Sequence, residues 1–232
     1  GTNHFTGHVY NGLIGETGTP LSSANLSLYC SQSISSMGDV VDQTTTDSDG
    51  WYELWGPDCS YYTIIENDPM GFVSVGASTV DGTVNNPHNI SFDAPLAGQD
   101  LSGNLFWDTP ATLAFSGRVF EGFKPDESNP LAYNIITLIC FNTETETAYG
   151  ISSAVTNTDG WYEVWGYEGC PYYLIQEIGQ VGYIFNGASS VSGEVLKPSL
   201  IRYQAPYSGL TLTGNKFWQA RGSKIFLPLI IH

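Results

Sequence analysis

The sequence predicts an all-β protein: two tandem disulfide-containing β-sandwich domains and an apolar C-terminal strand. Three observations predict it. First, the chain is written twice. Cys30, Trp51, Tyr52, Trp55 and Gly56 recur as Cys140, Trp161, Tyr162, Trp165 and Gly166, at an offset of 110. After a one-residue insertion the offset is 111, and Cys59, Tyr61, Tyr62, Glu66, Gly103, Asn104, Phe106 and Trp107 recur as Cys170, Tyr172, Tyr173, Glu177, Gly214, Asn215, Phe217 and Trp218. A repeat of this length is large enough to own a core. Second, short alternating apolar runs bounded by Gly, Pro, Asn and Asp fill both copies, with no long 3.6-residue period. Third, the four cysteines fall as one equivalent pair per repeat.

In chain order, residues 5–10 and 115–120 are first strands. Leu26, Leu28 and Cys30 alternate inward on a second strand, as do Ile136, Leu138 and Cys140. Residues 39–46 and 150–156 are third strands. They run into Thr46-Asp47-Ser48-Asp49-Gly50 and Thr156-Asn157-Thr158-Asp159-Gly160, where Asp-Gly between two strand-like runs signals a hairpin. Residues 51–55 and 161–165 follow, and residues 61–66, 72–79, 89–94 and 101–107 complete a repeat of seven to eight strands. The boundaries expected are a first domain at 1–107, a linker at 108–114, a second domain at 115–218 and a tail at 219–232.

Four cysteines allow three pairings. The duplication selects one, Cys30–Cys59 with Cys140–Cys170, because each copy should carry the same bond. Each closes a loop of about 30 residues, worth roughly 3–4 kcal/mol in the chain-entropy model. Zinc is the competing reading, but the pairs lack C-x-x-C spacing and nearby histidine. Disulfides need an oxidising compartment, so the expected location is extracellular or on the cell surface, with a signal peptide removed ahead of Gly1. No apolar run approaches the ~18 residues of a membrane span.

The formal net charge is −16, unevenly spread: residues 1–117 hold thirteen of the 23 acids and neither lysine nor arginine. Such a surface repels nucleic acid and anionic membranes. It reads as a solvated, soluble face, with divalent-cation binding or a less acidic partner as the sharper alternatives.

The order Phe-x-Gly-x-Val (residues 5–9 and 115–119), then Thr-x-[Ser/Thr]-Asp-Gly-Trp-Tyr-Glu-x-Trp-Gly (46–56 and 156–166), then Tyr-Tyr-x-Ile-x-Glu (61–66 and 172–177) resembles the Cna-B-type repeat of bacterial surface adhesins and pilins, and the wider transthyretin-like (prealbumin-like) sandwich group. The resemblance implies a stalk, spacer, adhesin or shaft module. Many Cna-B-type domains carry a Lys–Asn/Asp isopeptide bond assisted by a buried acid. Repeat one has no lysine for it; repeat two offers Lys124, Glu177 and Asn215, with Lys124 out of register. The disulfide is expected to replace that bond.

The tail is apolar: Ile225, Phe226, Leu227, Leu229, Ile230 and Ile231 surround Pro228. At the 111-residue offset Phe226 matches Phe115, so the tail stands where a third first strand would begin. It folds back as an edge strand of its own molecule, where proline is tolerated, or adds to the sheet of a neighbouring subunit; a membrane or sorting signal is the third reading, set against a length too short to span and the lack of an L-P-x-T-G motif. In the second case the acceptor edge expected is the first strand, at Phe5, Val9 and Tyr10.

The four histidines show no triad-like arrangement, and no catalytic residue, metal or cofactor is expected. Asp47 and Asp49, or Asn157 and Asp159, lack the full calcium-loop pattern and read as turn-formers. The six tryptophans suit core or domain packing better than sugar-stacking platforms. Asn25 and Asn89 head glycosylation sequons. The function expected is a structural subunit whose partner is itself, polymerising head-to-tail into an extracellular filament or pilus-like fibre. The alternative is a monomeric adhesin or carbohydrate-binding stalk module of a larger surface protein, in contact with surface glycans.

Overall fold

The computed structural model describes residues 2–33, 36–93, 98–142, 147–207 and 211–222. It is all-β, and the chain divides into two units, Gly1–Ala111 and Thr112–His232. In the first unit the strands are β1 (Asn3–Asn11), β2 (Asn25–Ser31), β3 (Asp39–Thr45), β4 (Trp51–Gly56), β5 (Tyr61–Asn67), β6 (Phe72–Ser78), β7 (Thr83–Asn86), β8 (Asn89–Asp93) and β9 (Asp100–Pro110). The second unit repeats them as β10 (Leu113–Glu121), β11 (Ile135–Asn142), β12 (Thr147–Val155), β13 (Trp161–Gly166), β14 (Tyr172–Ile178), β15 (Tyr183–Ser189), β16 (Glu194–Lys197), β17 (Leu200–Gln204) and β18 (Thr211–Arg221).

Each unit is a sandwich of a four-stranded sheet, order β4-β1-β9-β6 or β13-β10-β18-β15, and a five-stranded sheet, order β3-β2-β5-β8-β7 or β12-β11-β14-β17-β16. All pairings are antiparallel except β1 with β9 and β10 with β18. Among the described residues the expected seven to eight strands become nine per unit, because β7 (Thr-Val-Asn-Asn) and β16 (Glu-Val-Leu-Lys) are four-residue segments with no apolar alternation to announce them. The expected linker 108–114 is also corrected. Asp108–Pro110 belong to β9 and Leu113 and Ala114 to β10, leaving Ala111 and Thr112 between strands.

Alternation on the two inner faces builds each core. In the first, Phe5, Val9, Leu26, Leu28, Leu54, Tyr62, Ile64, Ile90 and Phe106 are fully buried. Phe5 packs against Tyr62 and Phe92 at ring-centroid distances of 5.1 Å, and Phe115 repeats this with Tyr173 and Tyr203 at 5.0 and 5.2 Å. Full burial of side chains of this size contributes about 1.5–3 kcal/mol each.

One device fixes the parallel pair. A register shift between Phe5 and Gly7 brings β1 so close to β9 that a Cβ on Gly7 would lie 1.7 Å from the Asn104 carbonyl oxygen. Asn104, fully buried, donates from Nδ2 to the carbonyls of Thr6 (3.1 Å) and Leu101 (2.9 Å) and accepts from Thr79 Oγ1 at 2.8 Å. Tyr52 donates its hydroxyl to the Asn104 carbonyl at 3.0 Å. Gly117, Asn215 and Tyr162 repeat this arrangement. The motif residues Gly7, Tyr52 and Asn104 are therefore parts of one joint.

Candidate functional site

The disulfides are Cys30–Cys59 and Cys140–Cys170, each with Cα atoms 5.8 Å apart. Each ties the end of the second strand of its unit, β2 or β11, to the loop before β5 or β14. The isopeptide trio of the second repeat is bonded elsewhere. Lys124 Nζ donates to the Ala188 carbonyl at 2.6 Å, Glu177 accepts from Gln219, and Asn215 holds the β10–β18 joint.

The apolar tail residues Ile225, Phe226, Leu227, Leu229, Ile230 and Ile231 lie outside the described residues. The acceptor edge expected at Phe5, Val9 and Tyr10 is corrected. Strand β1 is interior to its sheet, with β4 on one side and β9 on the other, and Phe5 and Val9 point into the core. Being first in sequence does not put a strand at an edge, because the last strand returns alongside it. The sheet edges of the first unit are β3, β4, β6 and β7. On β4 the Trp55 N–H is already bonded, at 2.7 Å, to Asp42 Oδ2.

Asp47 Oδ1 accepts from the backbone N–H groups of Asp49 and Trp51, both at 2.9 Å, and Asn157 does the same for Asp159 and Trp161. These are turn-forming bonds. Of the sequon asparagines, Asn25 is exposed at the start of β2, where Thr45 Oγ1 donates to it at 3.0 Å. Asn89 is half-buried on β8 and accepts from Asn85 Nδ2 at 3.0 Å.

The tryptophans divide. Trp107 and Trp218 are buried and donate from Nε1 to the carbonyls of Glu16 and Asp126. Trp51 and Trp55 stand 39% and 48% exposed on the outer face of β4, and Trp161 and Trp165 39% and 42% exposed on β13. Core packing therefore accounts for two of the six. In the first unit histidines join this face. The His4 ring lies 3.7 Å from that of Trp55 in a near-parallel stack, with its nitrogens 3.1 Å from Asp100 and 3.2 Å from Glu53. His8 lies between Trp51 and Tyr10, at 5.1 and 5.6 Å. The second unit has Ala114 and Arg118 at the matching positions on β10.

Sequence reasoning missed the other cluster. Glu66 (β5), Asp68 (just after β5) and Asp108 (β9) place carboxylate oxygens within 4.8 Å of one another. Glu66 and Asp108 are 2% and 0% exposed, and Asp68 is half-buried. Ser74 on β6 donates its single hydroxyl proton between Asp68 Oδ1 and Glu66 Oε2. Among the described residues, Glu66 Oε1 and both Asp108 carboxylate oxygens receive no donor from outside the cluster. Burial first, then the charges of Asp108 and Asp68, push Glu66 well above its ordinary range; burial first, then Asp68, push Asp108 up to about 8 against a lowering hydrogen bond with Glu66. Burial raises Asp68 as well and lowers His88, which faces it.

The second repeat solves the same position differently. Asp108 is matched by Gln219 and Asp68 by Gly179. Gln219 Nε2 donates to Glu177 Oε1 at 2.7 Å and to Asn134 Oδ1 at 2.9 Å. Glu177 is pushed up only to about 7, by burial against that bond. The signal available from sequence alone was this carboxylate-to-amide difference between otherwise matched repeats.

No family model matches the chain, and no curated protein matches it. Solved structures similar to it include the Bacillus anthracis TIE protein (16% identity over 95% of this chain and 34% of that one, TM-score 0.35). A streptococcal ancillary pilin (12%, 93% and 62%, TM-score 0.33) and the shaft pilin SpaA of Lactobacillus rhamnosus GG (10%, 96% and 98%, TM-score 0.32) are others. The chain thus spans about a third of the TIE chain and under two thirds of the ancillary pilin. Scores of this size carry no functional argument, and the likeness to Cna-B-type repeats rests on the motif residues alone.

Proposed function

We propose that the chain is an extracellular structural subunit whose segment 225–231 adds as a strand to the sheet of a neighbouring copy, building a head-to-tail fibre. The observation that supports it most is the register of that segment. Phe226 and Ile230 fall on the positions of Phe115 and Val119, both fully buried in β10. The segment therefore carries the inward pattern of a strand that is stable only when covered by a second layer. Its Pro228 falls on Gly117, where β10 approaches β18 so closely that no Cβ fits. The segment is thus unsuited to the interior slot of β1 or β10 and suited to an edge. In the first unit β3, β6 and β7 are the edges that replace β1 as acceptors. Head-to-tail addition is a heterologous contact, which grows a filament when its rotation does not close a ring. Disulfide-closed sandwiches fit an oxidising exterior.

Negative-stain microscopy of the full chain beside one ending at Gly222 tests this. Filaments from the full chain alone support strand addition in trans, and discrete particles from both refute it. The exposed tryptophan pairs on β4 and β13 favour a second reading, a glycan-binding stalk. It predicts affinity for a polysaccharide that survives truncation at Gly222 and falls with Trp51→Ala.

A further inference from the structure

We infer that the first unit binds a hard divalent cation, calcium in preference to magnesium, through Glu66, Asp68 and Asp108. The oxygens of these three side chains lie within 4.8 Å of one another. Oxygens this close can surround one ion at the ~2.3–2.6 Å typical of calcium, whose shell is flexible in number and angle; magnesium demands near-ideal octahedral geometry and keeps several waters, which a site with two wholly buried carboxylates accommodates poorly.

Proximity of acids is not enough, and two independent observations point to a ligand. Asp108 is wholly buried, faces this cluster and, among the described residues, receives no donor from outside it on either oxygen, and Glu66 Oε1 likewise lacks one. Buried carboxylates in folded proteins are paired, hydrogen-bonded or bound to metal. The duplication supplies the second observation. At the position of Asp108 the second unit places Gln219, whose amide reaches Glu177 at 2.7 Å. One copy gives its buried glutamate a neutral donor on one oxygen and leaves only Glu177 Oε2 without one; the other replaces that donor with a carboxylate, adds a further one at Asp68, and leaves Glu66 Oε1 and both Asp108 oxygens without a donor from outside the cluster among the described residues. The missing partner of the first site is therefore positive. The repeat itself cannot supply it, since residues 1–117 contain neither lysine nor arginine and the facing base, His88, is held towards its neutral form by burial. Tyr52, the other titratable group near Glu66, is wholly buried and also held neutral.

The geometry gives the ion a route and a shell. Asp68 is half-buried in the β5–β6 turn, so entry and the water-filled coordination positions are on that side. Ser74 Oγ, 3.1 Å from Glu66 Oε2, is placed to contribute a neutral oxygen. Asp108 on β9 and Glu66 on β5 belong to opposite sheets, so the ion cross-links the two layers of the sandwich.

The test is calcium chloride titrated into the full chain by calorimetry at fixed ionic strength, with magnesium chloride as the second arm. Hydrogen exchange is followed in peptides covering residues 61–74 and 100–110. One calcium per chain is expected, with slowed exchange in those peptides and none in residues 172–185 and 211–221. Asp108→Gln, which installs the second repeat's residue, is expected to lose at least tenfold in affinity while remaining folded in chelator. Should that variant not fold, Asp68→Asn is expected to weaken binding by a similar factor. Equal calcium responses from wild type and both variants would mean diffuse binding to an acidic surface and overturn the proposal. No response at all would mean that the carboxyls share protons instead, which also overturns it.

Discussion

The acid cluster makes the stability of the first unit depend on pH in a way the second unit's does not. A carboxyl that is protonated in the folded state and ionised in the unfolded state contributes stability at low pH that is lost as pH rises towards its folded pKa. Asp108 moves from 3.8 to about 8, and Glu66 moves in the same direction. Glu177, in the second unit, moves from 4.5 to about 7. His88 is shifted down, so its contribution is lost as pH falls, and it interferes only below its ordinary value of 6.5. The informative window is therefore pH 6.5 to 8. Each such group costs about 1.4 kcal/mol per pH unit across its own window. Asp108 titrates through the whole interval and removes about 2 kcal/mol, whereas Glu177 is spent within the first half-unit and removes less than about 1 kcal/mol. The assay is urea unfolding of the full chain in chelator at several pH values, with hydrogen exchange of β5 and β9 reporting the first unit and of β14 and β18 the second. Asp108→Gln should flatten the first unit's profile to that of the second. First-unit stability that is level or rises over this window would refute the reasoning, because it would mean the carboxyls are ionised and paired in a way the structure does not contain.

Three other outcomes follow from the described contacts. Removing Cys30–Cys59 by paired serine substitution should destabilise the first unit by about 3–4 kcal/mol, read as a lower urea midpoint with the second unit unchanged. Gly7→Ala should cost about 3 kcal/mol or more, since its Cβ would sit 1.7 Å from the Asn104 oxygen; intact melting behaviour would contradict the close β1–β9 approach. Tyr52→Phe deletes one buried hydroxyl and leaves the Asn104 carbonyl short of a donor, for a loss of about 1–2 kcal/mol by denaturant unfolding.

What the sequence showed and what it hid follow physical lines. Local signals were legible. The Asp-Gly turn before Trp51 and Trp161, the alternation in β4 and β5 and the repeat-matched cysteines each act over a few residues or are copied whole. The interior place of β1 was not legible, because its partner β9 lies about a hundred residues away and parallel pairing leaves no hairpin signature. Strand β7, Thr83–Asn86, exists because β8 offers it an edge, not because its own residues prefer one. Asp108 looked like the start of a linker since a lone aspartate after Trp107 carries no periodicity; only its burial reveals it as a member of a site. The tryptophans misled in the opposite direction, as four of the six repeat on an outer face rather than in a core.

The parallel pairing of first and last strands has a mechanical consequence. Within each unit the chain enters along β1 or β10 and leaves along β9 or β18, side by side and pointing the same way. Tension on the two ends therefore pulls these neighbours past each other, loading the hydrogen bonds from His4↔Asp100 to Asn11↔Asp108 together instead of opening them one at a time. Should that clamp slip, the loop closed by Cys30–Cys59, with a separation of 29 residues, stays locked. It withholds roughly 100 Å of contour length at ~3.4 Å per residue. Each unit thus resists extension in two stages, the first set by a shear clamp and the second by a covalent stop.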